Sequence, residues 1–163
     1  MIVITLIISF LLDGIILSLT SLDSSILPLF SLLSIVILYP YYCHNKRKMY
    51  GSAITMGILY DIVYTKSLFL NTLLFLFLIY LVDRIYKVLT NNFINTFLIT
   101  TITIVLYRVI NYLFFIVLGL ISWNTGDIVE CISHSLIINY VYIALFYFSL
   151  YAISKKLQIK RNV

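Results

Sequence analysis

Tyr50-Gly51-Ser52-Ala53-Ile54-Thr55-Met56-Gly57-Ile58-Leu59-Tyr60-Asp61-Ile62-Val63-Tyr64-Thr65 is the stretch on which the reading turns. It is a short apolar helix candidate with two glycines along it and one acid near its far end. The basic run Lys46-Arg47-Lys48 stands just before it. A carboxylate inside an apolar span costs a few kcal/mol unless a partner or water answers it. The rest of the chain is therefore expected to answer Asp61.

Composition sets the class. Of 163 residues, 63% are hydrophobic and 10% charged, with mean hydropathy +1.09. A soluble domain carries about 25% charged residues. This chain cannot cover a water-facing surface, so it reads as an integral membrane protein. Lipid forces backbone groups to pair within the protein, in helices or in a closed barrel. A barrel needs short strands of alternating polarity; long solid apolar runs point instead to an all-α bundle in one polytopic domain covering residues 1–163.

Six spans are expected, at about 2–19, 26–42, 50–64, 68–87, 93–120 and 128–153. Pro28 falls in the first turn of the second span, where its missing N–H does no harm, and Pro40 closes that span. Cys43 to Met49 reads as a basic loop, and Thr20 to Ser25 as a polar turn containing Asp23. The third span is short, since about 20 apolar residues normally cross the bilayer core. Ser122 to Asp127 forms a loop with Trp123, the single tryptophan, at a membrane interface. The first stretch lacks a preceding basic residue and a small-residue cleavage site, so it reads as a span rather than a signal peptide.

With both termini on the cytoplasmic side, the inner segments hold Lys46, Arg47, Lys48, Arg84, Lys87, Lys155, Lys156, Lys160 and Arg161, nine of the eleven cations. Outer loops hold Lys66 alone, together with Asp23, Asp127 and Glu130, and Arg108 lies within a helix. This obeys the positive-inside rule. The net charge of +5 then reflects topology and attraction to anionic lipids. No nucleic-acid partner is implied.

At about 1.5 Å rise per residue, Asp13 and Asp61 both lie about 16 Å into the membrane from the inner side, and Arg108 lies about 22 Å from Phe93. These groups, with Asn111 one turn from Arg108 and with His134 near the outer surface, form a candidate polar cluster. Arg108 is the expected counter-ion of Asp61, with Asp13 competing for it. Three roles follow from such a cluster: a pair that fixes helix packing, a polar floor beneath an outward cavity or groove, or an ion relay. One cation against two acids is thin for a relay.

Catalysis finds little support. Cys43 and His44 sit at the inner end of one span, and Cys131 and His134 at the outer end of another, so they build neither one metal site nor a disulfide. No His-Glu-x-x-His, Gly-x-Ser-x-Gly or Walker-type loop occurs. No cofactor, no metal and no enzymatic activity is expected.

The run from Lys46 to Thr65, continuing to Leu81-Val82-Asp83-Arg84-Ile85-Tyr86-Lys87-Val88-Leu89-Thr90-Asn91-Asn92, resembles the core of the bacterial rod shape-determining protein MreD family. The matching positions are the Tyr-Gly at Tyr50 and Gly51, then Gly57, Leu59, Tyr60 and Asp61, followed by Tyr64 and Thr65. Lys66 and Ser67 fill a turn where that family usually has glycine. The resemblance implies a non-catalytic scaffold of the cell-elongation machinery in the bacterial cytoplasmic membrane, helping to organise peptidoglycan synthesis and cell shape. Its implied partner is a bitopic MreC-like protein, alongside RodA, a class B penicillin-binding protein and the MreB filament. It further implies a fold similar to the substrate-binding subunits of energy-coupling-factor vitamin transporters. Such a subunit is the alternative function; its Ala-x-x-x-Ala docking face is missing, since Ala53, Ala144 and Ala152 are never four apart.

Overall fold

Residues 2–19, 27–42, 45–65, 69–89 and 92–156 are described by a computed structural model. The turn at Asp23, Cys43, His44, Lys66, Ser67, Asn91, Lys160 and Arg161 lie outside the described residues. The described residues form helices and turns, with no strand among them. The helices are α1 (Ile2–Leu19), α2 (Phe30–Tyr42), α3 (Lys46–Tyr60), α4 (Leu70–Ile85), α5 (Phe93–Val117) and α6 (Thr125–Lys156); α3 runs on into a π-helical turn, Asp61–Thr65.

Three of them, α1, α5 and the Thr125–Leu150 part of α6, are long and apolar enough to cross a membrane. Their polarity is turned inside out relative to a soluble helix. In α1 the buried positions include Ser9 and Asp13, while Val3, Ile4, Ile7, Ile8, Leu11 and Ile15 are exposed. An outer apolar face is stable only against acyl chains, so the chain is a membrane protein.

The second helix differs from its expected span. It begins at Phe30, so Pro28 precedes it, and Pro40 lies inside it instead of ending it. Thirteen residues reach only about 20 Å. Every residue from Phe30 to Pro40 is buried, and α2 touches each of the other five helices. This explains why α2 has no polar face, only the buried hydroxyls of Ser31 and Ser34 interrupting its apolar run: a helix surrounded on all sides has no face to make polar.

The third helix begins before its expected span. It starts at Lys46, so the basic run forms its first turn and not a loop, and Asn45 caps it by accepting from the Lys48 amide. Fifteen α-helical residues are followed by five π-helical ones. Helix α5 stops at Val117, earlier than expected, for a local reason. Gly119 takes φ +71, its N–H bonds Ile116 O, and Leu120 N–H bonds Phe115 O. That is the glycine-terminated Schellman arrangement. Helix α6 starts at Thr125, before the expected Ile128, because the Asn124 side chain accepts from Gly126 N–H at 3.0 Å. Trp123 is 60% exposed in this loop and meets the Tyr112 ring edge-on.

Candidate functional site

Asp61 sits where α3 gives way to its π turn and is only 3% exposed. Its Oδ1 accepts from Asn71 N–H at 3.0 Å and Asn71 Nδ2 at 2.9 Å. Its Oδ2 accepts from Thr72 N–H at 2.9 Å and Thr72 Oγ1 at 2.7 Å. The first four amides of a helix have no partner within it, and the dipole there favours negative charge. The carboxylate thus meets the requirement of α4 for a cap, and α4 meets the requirement of the carboxylate for donors. Asn71 also donates to Thr65 Oγ1 at 2.8 Å, and Tyr107 of α5 donates to Asn71 Oδ1.

Gly57 lies one helical turn before Asp61, on the same face. A Cβ there would stand 2.5 Å from Thr72 Cα and 3.0 Å from Thr72 N. Gly57 therefore makes room for the start of α4, and Asp61 fastens it. Gly51 has no such neighbour: a Cβ there meets nothing within 4 Å. Gly57→Ala is expected to destabilise the bundle by about 1–3 kcal/mol, the usual effect of forced overpacking. Gly51→Ala is expected to be neutral or slightly stabilising, as alanine favours a helix interior. Thermal melts of both variants in detergent check the contrast.

The same device recurs one helix earlier. Asp13, fully buried, accepts from Phe30 N–H at 2.8 Å and Ser31 N–H at 2.9 Å, so α1 caps α2. The segment leading into α2 is held from two further helices. Tyr60 of α3 donates to Pro28 O at 2.9 Å. Asn139 of α6 accepts from Leu29 N–H at 3.0 Å, and Ser135 and Asn139 both donate to Leu27 O. Tyr64 donates to Phe10 O at 2.5 Å, tying the π turn to α1. Below this level Ser9, Ser34 and Tyr142 close a buried ring of hydroxyls, with contacts of 2.5 to 2.8 Å.

The expected counter-ion of Asp61 was Arg108, with Asp13 competing for it; the helix N-termini are partners that this expectation did not include. The bonds given above reach both carboxylates from helix N-termini, with the Asn71 and Thr72 side chains added for Asp61. Arg108 lies on α5 within electrostatic reach of Tyr107, Tyr60 and Cys131. Asn111 is half-buried, one turn from Tyr107 on the same helix. His134 stands apart from this cluster: its side chain is 44% exposed and 3.9 Å from Glu130 on its own helix. Tyr50 is half-buried near the opposite end of α3, in the field of Asp83 and Lys46.

Sequence reasoning missed a third buried acid. Asp83, 4% exposed, accepts from Lys46 Nζ at 2.9 and 3.0 Å and from the Tyr39 hydroxyl, and lies 3.2 Å from Lys87 Nζ. This bond to Asp83 holds the Lys46 ammonium above its ordinary lysine range. The i, i+4 spacing of Asp83 and Lys87 was a visible signal; Lys46, from another helix, had none. The Ser9–Ser34–Tyr142 ring and the Ser135–Asn139 clasp likewise left no mark beyond isolated polar residues in apolar runs.

No curated protein and no solved structure matches the chain. The family model for rod shape-determining protein MreD matches residues 1–157. That match takes in the Gly57 and Asp61 seat, the α1 to α2 cap and the basic ends alike, and by it the chain belongs to the MreD family of rod shape-determining membrane proteins.

Proposed function

We propose that this protein is a non-catalytic membrane scaffold of the rod-shape machinery, binding a bitopic MreC-like protein and helping to organise peptidoglycan synthesis. RodA, a class B penicillin-binding protein and MreB are further members of the proposed assembly. The carrying observation is how the buried acids are used. Asp13 and Asp61 clasp the starts of neighbouring helices, the work of a rigid support. The apolar outer faces of α1 and α6 offer a single partner helix a surface to lie along.

The proposed topology is six spans with both termini cytoplasmic, in a bundle similar to the substrate-binding subunits of energy-coupling-factor transporters. Lys46 at the start of α3 and Lys87 after α4 both reach Asp83. This supports α3 and α4 as a hairpin whose basic ends share the cytoplasmic side. Reporter fusions at Asn91 and after Arg161 are expected to read cytoplasmic; a periplasm-type signal at either would overturn the topology. Affinity capture from native membranes, followed by mass spectrometry, tests the partner. The expected result is a co-purifying bitopic protein with a soluble extracytoplasmic domain. A bound small molecule with no such protein would instead favour a transporter subunit.

A further inference from the structure

The exposed residues Leu73, Phe77, Tyr80, Arg84 and Lys87 of α4 and its C-terminal turn are spaced four, three, four and three apart, so they lie in one stripe. The stripe starts apolar, with Leu73 65%, Phe77 47% and Tyr80 45% exposed, and ends in cations. Arg84 Cζ sits 5.2 Å over the Tyr80 ring and its Nη2 donates to Tyr80 OH at 3.1 Å. Beside it, one buried carboxylate, Asp83, draws together Lys46 and Lys87, whose side chains remain 49% and 54% exposed. Two cations converge on one acid, and Arg84 lies one helical turn from Lys87 in the same stripe, leaving a local excess of positive charge. Lys46 uses two of its three N–H donors on Asp83 and Lys87 one. Donors are therefore left over on two ammonium groups whose side chains are about half exposed.

We propose that Lys46, Arg84 and Lys87 hold the phosphate diester of one anionic phospholipid, with an acyl chain lying along Tyr80, Phe77 and Leu73. The charge excess selects an anion. The apolar stripe running directly into it selects a lipid over a soluble phosphate, because only an amphiphile fills both parts. Asp83 is the positioning residue: it fixes the two ammonium groups without touching the lipid. The site stands independently of any protein partner.

The test is native mass spectrometry of the full chain released from detergent with phosphatidylglycerol or phosphatidylcholine added. Arg84→Gln/Lys87→Gln keeps the Lys46–Asp83 pair and so the fold. Arg47→Gln/Lys48→Gln removes the same charge from exposed positions outside the site. The first pair is expected to weaken phosphatidylglycerol retention about tenfold, the equivalent of about 1.4 kcal/mol, and the second to leave it within about twofold. Wild-type protein is expected to retain little phosphatidylcholine. Equal weakening by both pairs would reduce the effect to diffuse attraction and overturn the site, as would no weakening by either. Displacement of the lipid by millimolar glycerol phosphate would overturn the acyl-stripe assignment.

Discussion

Asp61→Ala is expected to cost the protein a large share of its stability. The substitution leaves the Asn71 and Thr72 amides buried without an acceptor, together with the Asn71 side-chain N–H and the Thr72 hydroxyl. Each orphaned buried donor costs roughly 1–3 kcal/mol, so a loss of about 3–6 kcal/mol is expected even if the side chains turn away. Whole domains are stable by about 5–15 kcal/mol. The variant should accumulate poorly in membranes, and its unfolding midpoint in a denaturant titration should fall sharply. Asp61→Asn keeps one acceptor oxygen and sets an NH2 group against another donor, so an intermediate loss is expected. Arg108→Gln should cost less than either, since the guanidinium donates none of these four bonds. An Arg108→Gln loss matching that of Asp61→Ala would remove the basis for treating the cap as dominant.

Asp13→Ala is the second large effect. Two amides at the start of α2 lose their acceptor, for roughly 2–6 kcal/mol by the same count. The consequence reaches further than at α4, because α2 contacts all the other helices. Proteolysis of membrane-embedded protein, read by the rate of loss of the intact band, should speed up for Asp13→Ala in particular. Tyr142→Phe, which opens the hydroxyl ring at Ser9 and Ser34, is expected to cost only about 1 kcal/mol, because those two serines still bond each other at 2.6 Å. An Asp13→Ala variant as resistant as wild type would show that α2 holds its position by packing alone.

The need for a partner at Asp61 was legible from the sequence, because charge inside an apolar run is rare and costly. The cap that this carboxylate forms on α4 was not. The fourth span was expected from residue 68, two before α4 starts at Leu70, but nothing in Leu70-Asn71-Thr72-Leu73 announces that its first amides receive a carboxylate. Arg108 attracted the assignment by its opposite charge, yet a helix N-terminus offers two aligned donors only ten and eleven residues away. The start of α2 was hidden for a similar reason. Leu27 to Leu29 is apolar enough to pass for helix, yet the helix begins only at Phe30, after a segment clasped by Tyr60 and Asn139. The glycines divided as the contacts now explain: Gly57 is pressed by α4 while Gly51 faces open space, a difference their shared spacing along one helix does not reveal. Asp83 was readable as an amphipathic helix end, but its burial depends on Tyr39 and Lys46, which are distant in sequence. The membrane class and the family signature were legible outright, because composition and the Gly-x-Leu-Tyr-Asp run are local properties.

The claim that the start of α4 is fastened to α3 by a single carboxylate is tested most directly by paired double-mutant cycles in detergent-solubilised protein. One cycle combines Asp61→Asn with Thr72→Val; the other combines Asp61→Asn with Arg108→Gln. Contacting residues in one hydrogen-bond network couple by roughly 0.5–3 kcal/mol. The fastening predicts a coupling of at least about 1 kcal/mol in the first cycle and a smaller one in the second. Additive losses in the first cycle, with strong coupling in the second, would contradict it and return the role to Arg108.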